Sequence, residues 1–316
     1  MFALLPHQWT PVLPLVDITH NPQAVEIAGE QVVVFQSAGG TWHALLDRCP
    51  HRGAALSLGT VTDDGNLQCR YHGWRFRGDG TCARVPLNEL APKALEKIAA
   101  TAMPARELAG ALWIYTGDLR DAPAPPPPQL PASLEGPPRQ FGTYCQHWNA
   151  HWTRAVENFI DFAHPSYLHR DTIGAWTHDY AESGAVATVE VQPEPWGFTT
   201  LNYFTSRRQG FRVDWYRPNL SVIHFGGSAE SKLHVFSIPL SASRTRVMTV
   251  RRLPTAVDAA AYSARAATVD NAILDEDRMV VESQQGPVDD SHEISVATDA
   301  PAVAFRRWHR DLLAQG

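Results

Sequence analysis

Apolar and polar residues alternate in short runs through the first third of the chain. Trp9-Thr-Pro-Val-Leu13, Val25-Glu-Ile27, Gln31-Val-Val-Val-Phe35 and Trp42-His-Ala-Leu-Leu46 read as strands, broken by Gly29 and the Gly39-Gly40 turn. Trp74-Arg-Phe76, a Gly78-Asp-Gly80 turn and Gly110-Ala-Leu-Trp-Ile-Tyr115 extend the set. Short strands with glycine turns predict a small antiparallel β domain. His43 reads as a strand histidine near the surface, not a ligand. The pattern stops at Ala122-Pro-Ala-Pro-Pro-Pro-Pro128, followed by Pro131 and Pro137-Pro138. Such a run is a semi-rigid, extended connector. The expected division is therefore a first domain over 1–120, a linker over 121–140 and a second domain over 141–316.

Beyond the linker the period changes. Trp148, Trp152, Val156 and Phe159 recur at three-to-four spacing and predict a helix over 145–164, ended or kinked by Pro165. Strand-like alternation returns over 185–191, 197–204, 211–216, 220–225, 232–238 and 245–251. An alanine-rich stretch predicts a long helix over 256–285, and a last helix over about 299–313 takes Asp299 as its N-cap. A large antiparallel sheet crossed by a long helix is an α+β arrangement of helix-grip type, with room for a deep cavity.

Composition adds little beyond exclusions. The 316 residues are 44% hydrophobic and 19% charged, enough to bury substantial cores, and two domains are the natural prior. A net charge of -6 argues against nucleic acid or an anionic membrane as partner. No signal-like or membrane-spanning run is visible, so the expected compartment is the cytosol. Four cysteines in a chain of this length make no disulfide framework, and Cys82 and Cys145 read as ordinary small apolar residues. No glycine-rich phosphate or dinucleotide loop is evident.

Chemistry enters with Cys49-Pro50-His51-Arg52-Gly53 and Cys69-Arg70-Tyr71-His72-Gly73-Trp74. Each loop offers one thiolate and one imidazole. In a Rieske centre two cysteines bind one iron of a [2Fe–2S] unit and two histidines the other, so each loop must supply one ligand of each kind. A structural zinc site is the competing reading, but zinc pairs more often keep one residue type per loop. The stretch resembles the Rieske family closely. Arg70 departs from it, at a position where the family more often has a small residue or proline, and this bears on the cluster potential.

A second constellation lies at the end of the predicted 145–164 helix. His164 and His169 are five apart with Pro165 between them, a break that lets both imidazoles meet one metal. Non-haem Fe(II) oxygenases use two histidines and one carboxylate. For the carboxylate, the predicted long helix offers Asp270, Asp275, Glu276, Asp277 and Glu282, of which Asp277 shares a helical stripe with Val269, Ile273, Val281 and Gln284. A carboxylate there is costly unless paired or bound to metal. Asp275 points nearly the opposite way and reads as a solvated charge, while Asp270 shares the inward stripe and competes.

Asn158-x-x-Asp161-x-x-His164-x-x-x-x-His169, downstream of the Cys/His loops, resembles the oxygenase α-component of Rieske non-haem iron oxygenases, in the shorter demethylase-like branch. The likeness runs along nearly the whole chain. It implies a [2Fe–2S] cluster on Cys49, His51, Cys69 and His72. It also implies one mononuclear Fe(II) on His164, His169 and, through Glu276-Asp277-Arg278, Asp277. Asn158 is implied near the iron, and Asp161 as the bridge to His72 of a neighbouring subunit. An NAD(P)H-dependent reductase, with or without a ferredoxin, is implied as electron donor, and a head-to-tail homotrimer as the assembly. The cavity is expected to be lined by the 170–182 loop and the second sheet, with Ile173, Trp176, Tyr203, Trp215, Phe225 and His234 as candidates. That lining suits an aromatic or other cyclic substrate, monooxygenated or demethylated. Ring cis-dihydroxylation, a Rieske electron carrier and a zinc-filled scaffold are the alternatives.

Overall fold

Val32, Val33, Val34 and Phe35 are all buried, so their strand is covered on both faces, as an uninterrupted apolar run requires. The computed structural model in which this is seen describes residues 1–117, 124–204, 207–225, 228, 231–255, 257–284, 286–288 and 291–314. The chain divides into unit 1, Met1–Pro128, and unit 2, Gln129–Gly316.

Unit 1 is built from β1 (Trp9–Pro14), β2 (Gln23–Ile27), β3 (Glu30–Gln36), β4 (Trp42–Leu46), β5 (Thr60–Val61), β6 (Leu67–Gln68), β7 (Arg75–Phe76), β8 (Cys82–Arg84), a single helical turn α1 (Pro92–Leu95), β9 (Ala102–Met103), β10 (Ala105–Leu108) and β11 (Ala111–Tyr115). They form three antiparallel sheets, ordered β1-β11-β10, β2-β3-β4-β9 and β5-β6-β7-β8. Val33, Phe35, Leu45, Leu56, Leu67 and Phe76 make one core that also holds Cys49 and Cys69. The two thiols thus belong to the packed interior while their loops reach the surface.

Unit 2 contains β12 (Phe141–Trp148), α2 (Trp152–Ile160), α3 (Ala175–Glu182), β13 (Ala187–Glu194), β14 (Gly197–Phe204), β15 (Arg207–Tyr216), β16 (Leu220–His224), β17 (Lys232–Ser241), β18 (Arg244–Arg252), α4 (Ala259–Val281) and α5 (Ala300–Ala314). One seven-stranded antiparallel sheet, β12-β18-β17-β16-β15-β14-β13, spans the unit. The fold is α+β throughout, as expected. Helix α2 fills the space above the sheet from two sides. Ala155 and Phe159 pack with Val235, Val247, Leu274 and Val281, while Trp152, Val156 and Ile160 pack with Phe198, Trp215 and Phe305. Each large side chain so buried is worth about 1.5–3 kcal/mol against exposure.

Several expectations need correction. Residues 145–148 are strand, not helix: β12 pairs with β18 from Phe141↔Arg252 to Trp148↔Thr245. Helix α2 starts only after His151, whose ring nitrogen accepts from the Thr153 backbone N–H. The helical spacing of Trp148 was a coincidence of two elements sharing one core. Residues 175–182 form α3, not loop. Residues 131–140 are not a free connector. Ser133 and Leu134 are buried, and the Leu253 N–H donates to the Gln140 carbonyl at 2.8 Å. The start of the expected linker, 121–123, lies outside the described residues. Asp299 caps backwards, accepting from the Val296 N–H at 2.7 Å, rather than forwards into α5.

Candidate metal centres

The two Cys/His loops of unit 1 share one construction. Cys49 N–H donates to the Ala54 carbonyl and Gly53 N–H to the Cys49 carbonyl, both at 2.8 Å. The second loop repeats this with Cys69 to Trp74 at 2.8 Å and Gly73 to Cys69 at 3.0 Å. Gly53 and Gly73 both take left-handed backbone, which a tight turn of this form favours. Cys49 and Cys69 are almost fully buried, and burial pushes the Cys49 thiol up to about 11 with the Cys69 sulfur beside it. A metal reverses such a shift because it takes the thiolate. The His51 and His72 rings lie 4.6 Å apart, and His51 stacks on Trp74 at 4.4 Å. His51 Nδ1 is buried without a hydrogen-bond partner. Two adjacent buried thiols, two adjacent imidazoles and an orphaned ring nitrogen fit a cluster with mixed ligands.

In unit 2, α2 ends at Asp161 and a short turn carries His164. Asp161 Oδ2 accepts from the His164 backbone N–H at 2.7 Å and lies 2.9 Å from His164 Nδ1. These bonds to His164 outweigh burial and hold the Asp161 carboxyl below its usual range. Glu276 Oε2 lies 2.6 Å from His169 Nδ1, and Thr172 Oγ1 also donates to it. A carboxylate on each Nδ1 keeps the proton there and turns each Nε2 inward. The two nitrogens meet Asp277 Oδ1, at 3.5 Å from His164 and 3.0 Å from His169. Burial alone would lower the His169 pKa; Asp277 and Glu276 together raise it instead. Asp277 is 3% exposed. Ligands about 2.1 Å from a metal at right angles stand about 3 Å apart, so this donor set fits one ion. Among the described residues, His164, His169 and Asp277 form the one such group of donors. Asp275 turns away, to Gln146, Asn271 and Arg278. The side chain of Asp270 lies outside the described residues.

Gly174 fixes the turn between the histidines and α3. A Cβ there would fall 1.7 Å from the Pro165 carbonyl oxygen and 3.0 Å from that of His169. No side chain fits without moving the backbone that carries both imidazoles.

A cavity of about 480 Å³ opens beside the three donors. Phe159, Phe162, Phe211, Val213, Ile223 and Leu274 line it, together with Ile173, Trp176 and Phe225 from the expected set. Asn158 and Asp161 also reach its wall. Tyr203, Trp215 and His234 do not. Tyr203 is one residue out of phase with Asn202 and donates across the other face to Glu190. His234 is likewise out of phase with Leu233, and bonds Ser133 Oγ and the Val250 carbonyl. Trp215 has the phase of Phe211 and Val213 but lies further along β15, in the core with Phe305.

Residues 8–96 match the model of the Rieske [2Fe-2S] domain, and residues 148–315 that of the vanillate O-demethylase oxygenase C-terminal domain. The chain belongs to the Rieske oxygenase family. The Rieske match indicates a [2Fe–2S] cluster in unit 1. Among curated Rieske oxygenases, the chain is 27% identical to methylxanthine N1-demethylase NdmA of Pseudomonas putida, over 98% of this chain and 89% of that protein. It is 29% identical to the 3-chlorobenzoate-3,4-dioxygenase oxygenase subunit of Comamonas testosteroni over 54% of this chain, spanning only 39% of that relative. The structure of an NdmA mutant of Pseudomonas putida CBB5 with theobromine superposes with a TM-score of 0.76 at 26% identity, covering 97% of this chain and 90% of that one. No helix among the described residues is long and apolar enough to cross a membrane.

Sequence reasoning named Glu276 as one of the carboxylates offered by the long helix and as the neighbour of Asp277, but not as a partner of His169. Its role on His169 follows from three-dimensional contact alone. Asn202 and Arg251 also line the cavity without having been expected there. Strand phase was the available signal: Asn202 pairs with the cavity-lining Phe211, and Arg251 lies two residues from the cavity-lining Thr249 on the same face of β18.

Proposed function

We propose that this chain is the terminal oxygenase component of a multicomponent system in the cytosol. With O₂ and electrons from a separate NAD(P)H-dependent reductase, with or without a ferredoxin, it hydroxylates or oxidatively demethylates a small aromatic or cyclic substrate. The observation that carries this reading is the convergence of two imidazole nitrogens and one carboxylate oxygen on the wall of an apolar cavity. Cys49, His51, Cys69 and His72 would hold the [2Fe–2S] cluster, and His164, His169 and Asp277 a mononuclear iron. When bound, the cluster supplies single electrons and the iron supplies activation of O₂.

The remaining work falls to the chain. Asp161 and Glu276 hold protons on His164 Nδ1 and His169 Nδ1. Phe159, Phe162, Ile173, Trp176 and Phe211 exclude water and present a flat substrate to the open side of the donor set. Asn158 stands beside that set as a further polar contact. Asp161 is read as the link to His72 of a neighbouring subunit in a head-to-tail homotrimer. Unit 1 then acts as the electron-accepting domain and unit 2 as the catalytic domain.

Iron and acid-labile sulfide analysis, followed by turnover of a substrate panel under O₂ with a surrogate reductase, tests the reading. About three iron per chain are expected, with products gaining one oxygen or losing a methyl group. Two iron per chain, unchanged by His164→Ala, would mark an electron carrier and end the oxygenase reading. Products gaining two oxygens and two hydrogens would favour ring cis-dihydroxylation, the reading that similarity to a dioxygenase subunit supports.

A further inference from the structure

The first Cys/His loop of unit 1 is closed on itself. Asp47 Oδ1 accepts from the Ser57 backbone N–H at 2.7 Å, and Oδ2 from the Ser57 hydroxyl at 2.6 Å. With the backbone bonds at Cys49 and Gly53, these contacts tie both ends of the loop. The chain leaves it at Gly59, where a Cβ would fall 2.0 Å from the Gln68 carbonyl oxygen. The loop is thus a preformed surface, and a partner docking on it has little ordering to impose.

Arg48, Pro50 and Arg52 are exposed on this surface, and Leu58 beside Ser57 is 64% exposed. Arg48 folds across the turn, since a Cβ on Gly53 would stand 3.5 Å from its Nε. The one carboxylate of the loop, Asp47, is engaged by Ser57, and the next in sequence is Asp63. Neither guanidinium forms an ion pair or a side-chain hydrogen bond among the described residues. Arg48 and Arg52 are therefore a local excess of positive charge in a chain of net charge -6. Apolar side chains among unpaired like charges have the anatomy of a transient protein contact, and the charges select a partner of opposite sign. The two arginines flank Cys49 and His51, so a partner bound there lies against the candidate cluster. The His72 side is the one assigned to a neighbouring subunit through Asp161, which leaves the first loop for a different protein.

We propose that the first loop is the docking surface for the electron donor, and that this donor is a protein presenting carboxylates around its own redox centre. Arg48 and Arg52 set the rate of encounter, and Pro50 and Leu58 form the apolar middle of the contact. One electron leaves the reduced donor and enters unit 1, with no bond made or broken. The proposal rests on the oxygenase reading for the need of a separate donor.

The probe is an acidic plant-type [2Fe–2S] ferredoxin, reduced and mixed anaerobically with the oxidised, cluster- and iron-loaded protein in a stopped-flow cell. The second-order rate of electron transfer should fall about tenfold between low salt and about 0.3 M. Arg48→Glu and Arg52→Glu should each lower it about tenfold at low salt and flatten its salt dependence. Arg48→Lys and Arg52→Lys should keep most of the rate. Leu58→Ser should weaken ferredoxin binding, read by calorimetry with both proteins oxidised, and leave the salt slope unchanged. Photoreduced deazariboflavin, small and uncharged, should reduce every variant at one rate. A ferredoxin rate independent of salt, reversal variants that match wild type, or a larger loss from Arg70→Glu on the second loop would overturn the proposal. So would reversal variants that change the number of subunits, by light scattering, without slowing the ferredoxin. Salt-dependent reduction with no oxidised product leaves the proposal standing and counts against the oxygenase reading. Oxidised product with reduction indifferent to both arginines does the reverse.

Discussion

The two candidate metal centres are assembled in opposite ways. In unit 1 all four candidate donors sit on two loops between Cys49 and His72, each closed by its own backbone hydrogen bonds. In unit 2 the contact between His169 and Asp277 spans 108 positions of sequence. The first centre is therefore set by local turns, and its thiols are anchored in the unit's core. The second exists only once α4 has packed over the sheet. A local site tolerates changes elsewhere in its domain; a tertiary site inherits every shift of the elements that bring it together. Each centre is further braced by a different force. His51 rests on the Trp74 ring, whereas His164 and His169 are each held by a carboxylate.

Removing the remote donor should have the largest effect. Asp277→Ala is expected to lower iron from about three to about two per chain and turnover by about a thousandfold or more, with the cluster spectrum unchanged. Full iron and activity in this variant would remove Asp277 from the donor set. Asp161→Asn comes next. It keeps the size of the side chain but weakens the acceptor on His164 Nδ1, and it removes the proposed electron link. The expected outcome is an intact cluster spectrum with turnover down about a hundredfold. A changed cluster spectrum would instead mean that Asp161 shapes unit 1. Glu276→Gln should be milder, since Thr172 remains nearby and the amide can still accept. A drop of about 10–100-fold in iron affinity is expected, read by chelator competition, with the cluster of unit 1 untouched.

The same contrast explains what was legible beforehand. The unit 1 centre could be read from Cys49 to Trp74 because every donor and turn-forming glycine lies in one short stretch. In unit 2, helical phase singled out Asp277 only together with family resemblance, because Asp270 shares the stripe. Glu276 was invisible as a partner of His169, since nothing in the sequence says that the residue beside Asp277 turns back to the other histidine. The strand content was read well wherever alternation was clean, as in β14, whose bounds match the expectation. It failed where one core gathers residues from two elements. Trp148 of β12 looks like the helical turn before Ala155 and Phe159 of α2 because all three share one core with Val235 and Val247, whereas Trp152 packs apart from them with Phe198, Trp215 and Phe305. The cavity was half legible for a related reason. Strand phase decides which side chain faces inward, and Tyr203 and His234 are each one residue from the inward position.

His234 offers the mildest test, and one confined to the tertiary unit. Its ring is fully buried under the sheet, with Nδ1 donating to the Val250 carbonyl and Nε2 accepting from Ser133. Burial lowers its pKa to about 4. The unfolded chain takes up a proton near the usual value of about 6.5 and the folded one does not. The stabilising contribution is therefore fully present above pH 6.5 and is lost as pH falls toward 4. At pH 5.5 the loss amounts to about 1.4 kcal/mol, a tenfold fall in the folding constant. His151, also lowered to about 4, mainly by burial, acts in the same direction from the start of α2. The difference between wild type and His234→Gln isolates the sheet histidine from it. Calorimetric stability from pH 7.5 to 5 should fall less steeply in the variant, while the absorbance of the unit 1 cluster follows the same pH course in both. Parallel stability curves would mean that His234 titrates alike folded and unfolded, and that the sheet does not enforce its neutral form.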